Sequence, residues 1–313
     1  MIGLAQLYAL TGLVFGGWAI ATLLDRQHAA RLRGFGFWGL ISLEFLAGDG
    51  FTDFENGVIL LAIVALALAG APGKGTPATS SDADRAASLA AHGNRLFLPA
   101  LIVPGVALAG TFIFPRLGQL VDPRQVTLVS LGLGAIIAVA TLLIWLRPPA
   151  RAAVHEGRRL AEGVGWAMIL PQMLASLGLV FALAGVGDIV GALAPLAIPD
   201  GNRLAAVLAF TGGMAIFTLV MGNAFAAFPV LMGGIGLPVL VQGMGGDPVV
   251  VGAVGMLAGF CGTLLSPMAA NFNIVPAALL NLPDRYAVIR AQWPTAALLW
   301  LFNTALIWGA AFR

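Results

Sequence analysis

From Leu204 to Pro283 the chain runs for eighty residues with one charged side chain, Asp247. An uncharged run of that length is several times what one bilayer crossing needs, so this part of the chain must enter or cross lipid repeatedly. Yet it keeps interrupting the helices that a bilayer demands. The stretches Met221-Gly222-Asn223-Ala224-Phe225-Ala226-Ala227-Phe228-Pro229 and Leu265-Ser266-Pro267-Met268-Ala269-Ala270-Asn271-Phe272-Asn273-Ile274-Val275-Pro276 each place asparagine amides and a proline inside it. Backbone released from its helix within lipid has to be satisfied by protein, water or a bound solute. Paired interruptions of this kind are the sequence mark of a transporter's central binding site.

Composition extends the membrane reading to the whole chain. Hydrophobic residues make up 59% of it and charged residues 10%, against about 25% charged in a soluble domain. The 313 residues suffice for roughly nine or ten crossings joined by short loops. A net charge of +2 gives no nucleic-acid footprint, since the basic residues collect in loops flanking the spans. The one cysteine, Cys261, lies in an apolar stretch, which excludes a disulfide framework. His28, His92 and His155 fall in polar loops without metal-ligand spacing, and Gly132-Leu133-Gly134 has no phosphate-loop context. No catalytic set at membrane depth and no redox cofactor site is expected, so the chain reads as a non-enzyme. Its first residues lack the basic start of a cleaved signal peptide and read as a retained transmembrane helix.

Apolar spans are expected at about 3–24, 35–50, 57–72, 96–115, 125–146 and 164–192, with Pro171 kinking the last of these, and at about 293–312. Residues 204–242 are long enough for two crossings, or for one crossing and a re-entrant piece; residues 248–282 pose the same alternative. Twelve of the 16 basic residues fall in the 25–34, 73–95, 147–163 and 283–292 loops. The positive-inside rule then puts the 25–34, 73–95 and 147–163 loops in the cytoplasm and the N-terminus outside. The 73–95 segment reads as a hinge or as a plain mobile loop. It separates a three-helix part (1–72) from a transport core (96–313) with broken helices near 218–236 and 262–280. The expected fold is all-α and polytopic, with re-entrant hairpins or broken helices in the C-terminal half.

The two breaks are loosely alike. Asn223 precedes Pro229 by six residues and Asn271 precedes Pro276 by five; Thr218 stands before the first break, Thr263, Ser266 and Pro267 at the second. Glycines flank both and allow helices to approach closely. Helix N-termini aim N–H groups and partial positive charge at a site, which suits a carboxylate. Freed carbonyls and the side-chain oxygens of Asn223 and Asn271 can hold Na⁺. With no Lys or Arg nearby, a small monocarboxylate fits better than a polyanion. The candidate substrate and ion residues are therefore Thr218, Asn223, Pro229, Thr263, Ser266, Pro267, Asn271, Asn273 and Pro276. The alternative is that Asn223, Asn271 and Asn273 only fasten helices together. Glu44, a carboxyl in the short second span, and Asp188, late in the sixth, are candidates for proton coupling; Glu44 is otherwise a helix-end residue.

Both breaks, together with Phe37-Trp38-Gly39-Leu40, Gly163-Val164-Gly165-Trp166, Leu170-Pro171-Gln172 and Ala184-Gly185-Val186-Gly187-Asp188, resemble a bacterial membrane family long of unknown function. That family is described as one subunit of a two-component 5-oxoproline (pyroglutamate) transporter within the ion-transporter superfamily. The resemblance runs from end to end, and the second break is its most specific part. It implies an inner-membrane permease subunit for 5-oxoproline, working with a second, smaller membrane subunit, the pair acting singly or repeated as a homo-oligomer. It assigns no binding residues. Secondary transport driven by Na⁺ or H⁺ is the expected activity; the alternative is a non-transporting scaffold for a partner permease.

Overall fold

The computed structural model describes residues 2–72, 81–118, 120–149, 151–199, 201–280 and 282–312. Among them the chain is helical without strands, apart from an isolated bridge between Ile2 and Val121. The helices are α1 (Leu4–Leu24), α2 (Arg31–Ala47), α3 (Asp53–Leu68), α4 (Asp82–His92), α5 (Leu98–Ile113), α6 (Val126–Leu146) and α7 (Ala152–Val164). They continue with α8 (Leu170–Leu183), α9 (Val186–Ala197), α10 (Arg203–Met221), α11 (Ala224–Leu231), α12 (Pro248–Leu265), α13 (Ala270–Leu279) and α14 (Ala287–Ala310). A π-helix, Met232–Gly243, extends α11 directly.

Among the described residues, six helical segments are long and apolar enough to cross a membrane: α1, the 83–117 segment containing α5, α6, α10, α11 with its π-helix, and α12. Ser176–Leu183 and Val186–Ala194 form an apolar helix pair bent by 65°, the geometry of a broken span or a re-entrant loop. The chain is a multi-pass helical membrane protein with a broken helix in its C-terminal half. The sequence expectation of nine or ten spans counts segments that are shorter or more polar. Helices α2 and α3 have 17 and 16 residues, about 25 Å of helix against a hydrocarbon core of about 30 Å. In α14, 24 residues long, Asn303 and Thr304 are buried polar groups. Within the 73–95 segment, residues 73–80 lie outside the described residues, and 82–92 form α4. Ser81 starts that helix: the Asp84 N–H donates to its Oγ at 3.1 Å, and its Oγ donates to Asp84 Oδ2 at 2.6 Å.

Contacts divide the chain into Met1–Gly165 and Trp166–Arg313, further along than the 73–95 segment that composition singles out. In the first unit, α1 and α2 pack so closely that a Cβ at Gly12 would lie 2.6 Å from Leu46 Cγ, and Ser42 Oγ donates to the Gly12 carbonyl at 2.7 Å. Phe15, Trp18, Trp38 and Phe45 stack along this seam. Helix α7 lies on α1 with Gly157 against the Trp18 ring. Ions fasten it there. The Arg158 guanidinium donates to the Ala21 carbonyl and to Asp25 Oδ2, both at 2.8 Å, and lies 3.6 Å from Glu162 Oε1. His28 Nε2 is also 3.6 Å from Glu162 Oε1, and Thr22 Oγ1 donates to the same oxygen at 3.5 Å. The Ala30 N–H donates to His28 Nδ1 at 3.1 Å, which leaves the ring proton on Nε2, facing Glu162.

The second unit is built on glycine-mediated contact between helices. Fully buried Phe210, Met214, Leu240 and Val251 form its centre. Helices α10 and α12 touch backbone to backbone: a Cβ at Gly262 would overlap the Ala215 carbonyl oxygen. Helix α14 joins this pair through a polar seam in which Thr211 and Thr304 share a hydrogen bond of 2.9 Å. Helix α9 meets the π-helix where Gly187 and Gly191 face Gly234, and α8 meets α11 where Gly178 faces Ala226. The π-helix runs for 12 residues, whereas such geometry ordinarily occupies a single turn. Its Gly233, Gly234, Gly236 and Pro238 suit a wide helix that packs on α9 without intervening side chains.

Candidate functional site

The first break is a two-residue corner. Helix α10 ends at Met221, and Gly222 turns the chain with φ +76°, its N–H donating to the Thr218 carbonyl at 2.6 Å. Only glycine suits this corner, because a Cβ there would lie 2.6 Å from the Met268 carbonyl carbon as well as sitting in a left-handed conformation. Asn223 is extended and caps α11, its Oδ1 accepting the Phe225 N–H at 2.9 Å.

The second break spans Ser266 to Ala269, between α12 and α13. Ser266 Oγ accepts the Met268 N–H at 3.1 Å and donates to the Leu219 carbonyl at 2.7 Å. Asn273, on the first turn of α13, reaches back to the end of α12. Its Nδ2 donates to the Thr263 carbonyl at 2.9 Å and the Ser266 carbonyl at 2.6 Å. Both carbonyls also accept a backbone N–H, Thr263 from Ser266 at 3.3 Å and Ser266 from Ala269 at 3.2 Å, so the amide reinforces the turn, and the two bonds fix which end of it is oxygen.

The two breaks meet. Ser266 bonds Leu219, and Gly222 abuts Met268, so the first turns of α11 and α13 begin side by side. Phe225 of α11 and Phe272 of α13 both pack on Phe260 of α12, with ring centroids 5.8 and 6.3 Å away. Two oxygens at this junction are fully buried with no hydrogen-bond partner among the described residues: Asn273 Oδ1 and Thr218 Oγ1. The Thr218 hydroxyl faces Gly259 of α12, where a Cβ would lie 3.4 Å from it. The arrangement can do two opposite things at once: helix starts present N–H groups to an anion, and naked oxygens present lone pairs to a cation or to a donor.

The structure brings only part of the candidate set together. Ser266 and Asn273 meet at the second break, with Thr263 contributing its carbonyl while its hydroxyl donates to Phe260 O at 2.6 Å. Thr218 lies against Gly259 and Gly262 of α12, and Asn223 follows Gly222, which abuts Met268. Asn271 is exposed, on a different face of α13 from Asn273. Residues two apart on a helix point about 200° apart, so the pair cannot serve one site. Pro229 and Pro276 lie inside α11 and α13 and do not end them; the chain breaks upstream, at Gly222 and at Ser266–Ala269. Pro267 is exposed in the second turn. Glu44 lies in the first unit, partly buried near the end of α2, with Oε1 unpartnered among the described residues. Asp188 is exposed on the first turn of α9.

Two features escape the sequence reading. A third break, between α8 and α9, turns at Gly185 with φ +69°, and Pro171 stands at the start of α8 where it bends nothing. The signal available was Ala184-Gly185-Val186-Gly187-Asp188, a glycine pair followed by an acid suited to a helix start. The other is the Asp25, His28, Arg158 and Glu162 cluster, whose His28, Arg158 and Glu162 are 4%, 2% and 3% exposed although their stretches read as polar loops. Only the spacing of Arg158 and Glu162, one helical turn apart, hinted at it.

Fold and junction together define a multi-pass helical membrane protein with helix breaks gathered in its second unit. The chain belongs to the DUF979 family of proteins of unknown function, whose family model matches residues 5–312. No curated protein matches it. No solved structure matches it either.

Proposed function

We propose that the chain is a permease subunit of a bacterial inner membrane that moves a small monocarboxylate by secondary transport, with 5-oxoproline as its substrate and Na⁺ as the coupling ion. The observation that carries this reading is the fixed Asn273 amide. With both N–H bonds committed to α12, its buried Oδ1 can only accept, as can the lone pairs of Thr218 Oγ1 beside α12. A carboxylate gains nothing from Asn273 Oδ1 and only the O–H from Thr218, whereas a dehydrated monovalent cation can take a lone pair from either. The adjoining starts of α11 and α13 favour the opposite charge. A cation and a carboxylate seated together at one junction neutralise each other, which is how binding of one promotes binding of the other. Asn223, at the first of these starts, has an amide N–H₂ suited to the lactam carbonyl of 5-oxoproline, its Oδ1 being engaged by the Phe225 N–H. Na⁺ is favoured over H⁺ because the segments that form the two breaks, 218–231 and 263–273, carry no Asp, Glu or His. The 5-oxoproline assignment and a second, smaller subunit rest on the family resemblance.

Uptake of labelled 5-oxoproline in cells lacking their own carrier tests this, with the chain alone and with its candidate partner subunit, in Na⁺ and in K⁺. Na⁺-dependent uptake that falls about tenfold or more in Asn273→Ala, at matched expression and thermal stability, is the expected outcome. Uptake that needs the partner but ignores Asn273 and Na⁺ would instead make this chain a scaffold.

A further inference from the structure

The turn between α1 and α2 carries an open pocket of about 570 Å³ walled by residues 26 and 28–33. Three of those residues are arginines, Arg26, Arg31 and Arg33, and none is an acid. We propose that this pocket binds the phosphate of an anionic phospholipid headgroup, making the first unit a specific lipid site.

Three observations support the assignment. First, two of the three guanidinium groups, those of Arg26 and Arg31, are uncommitted among the described residues, in contrast to other basic residues of the chain. Arg158 is taken up by Asp25 and Glu162, Arg159 by Glu156, and Arg290 by Asp284. Arg26 and Arg31 have no ion-pair partner among the described residues, and Arg33 donates to the Ala69 carbonyl. Asp25, the nearest carboxylate along the chain, faces Arg158 at 2.8 Å. Guanidinium forks match phosphate oxygens two at a time, and unpaired ones at a membrane edge are where such a ligand is held.

Second, the surroundings add donors. Helix α2 starts in the pocket wall at Arg31 with no side chain capping it from Ala30; the His28 carbonyl takes the Arg31 N–H at 3.3 Å, which leaves the N–H groups of Leu32 and Arg33, both wall residues, as the open donors of its first turn. His28 does not compete with the arginines: Nδ1 accepts the Ala30 N–H and Nε2 faces Glu162. It shapes the wall.

Third, the pocket sits where a lipid would present its phosphate. It follows directly on α1, a membrane-crossing helix that ends at Leu24. Leu24 and Leu32 flank the turn with 73% and 68% of their surface exposed. A free phosphate has no use for these side chains. An acyl chain running down from a bound headgroup covers them, which commits the site to a lipid. Juxtamembrane arginines are worth about a kilocalorie each toward acidic lipid, or about fivefold in affinity per residue.

Native mass spectrometry of the purified full chain, exchanged into an equimolar mixture of phosphatidylglycerol and phosphatidylcholine, tests this. The wild type is expected to retain phosphatidylglycerol over phosphatidylcholine by about 25-fold, about fivefold for each of Arg26 and Arg31. The exposed pair Arg26→Gln/Arg31→Gln should abolish that preference without lowering thermal stability, and Arg116→Gln/Arg124→Gln should keep it. Excess inorganic phosphate should not displace the lipid. Equal retention of both lipids, an unchanged preference in the first pair, or the same loss in the second pair would overturn the site. Displacement by inorganic phosphate would reassign the pocket to a soluble anion and overturn the lipid.

Discussion

The Ser266 hydroxyl donates to the Leu219 carbonyl at 2.7 Å and ties the second chain break to the last turn of the helix that ends at the first. One side chain thus couples two interruptions that are 47 residues apart in sequence. Ser266→Ala removes this bond and leaves both the Leu219 carbonyl and the Met268 N–H without their partner. A loss of about 1–3 kcal/mol is expected, seen as a lowered unfolding midpoint of the detergent-purified chain. An unchanged midpoint would mean that the two breaks do not lean on each other.

Gly222 and Gly245 offer a matched comparison. Both have positive φ, +76° and +72°. A Cβ at Gly245 would meet nothing within 4 Å, whereas one at Gly222 would run into the Met268 backbone. Gly245→Ala should cost only the left-handed strain, about 1 kcal/mol, and Gly222→Ala about 2 kcal/mol more. Thermal unfolding of the two variants side by side measures the difference. Equal losses would show that Gly222 is needed for its backbone angle alone.

Burial pushes the Glu162 carboxyl above its ordinary 4.5, against the pull of Arg158 and His28. A group with a raised folded-state value gives its full stabilisation below 4.5 and loses it as pH climbs through that raised value. Asp25 adds no slope there: burial raises it, but the Arg158 hydrogen bond and charge prevail and hold it below 3.8, so its contribution fades only in stronger acid. The wild-type midpoint should therefore fall relative to that of Glu162→Gln as pH rises from 4.5. Unfolding followed by Trp18 and Trp38 fluorescence, both in the first unit, would read it. Parallel curves would show that Glu162 is not desolvated.

Much of this architecture is legible in the chain. The membrane class follows from the eighty-residue run with one charge, and the breaks from Gly222-Asn223 and Ser266-Pro267. The prolines misled: Pro229 and Pro276 catch the eye as helix breakers but ride inside short helices whose starts lie upstream. The choice between Asn271 and Asn273 is a matter of helical phase, which cannot be assigned until the start of α13 is known. That Leu219 meets Ser266 is a tertiary fact with no local signal. The ionic cluster was hidden for the same reason, since Asp25 and His28 lie on one stretch and Arg158 and Glu162 on another, Arg158 following Asp25 by 133 residues, and each looks solvated by itself. The bend at Gly185 was masked by Pro171, the more conspicuous residue in the same apolar run.

The most direct measurement is the Na⁺ dependence of 5-oxoproline binding to the purified complex, wild type against Thr218→Val. Valine keeps the shape of threonine and deletes only the buried oxygen. The expected result is that Na⁺ tightens 5-oxoproline binding, and that the variant needs about tenfold more Na⁺ for the same effect at unchanged thermal stability. Binding indifferent to Na⁺, or a variant with the wild-type Na⁺ response, would contradict a cation seat at the junction of the two breaks.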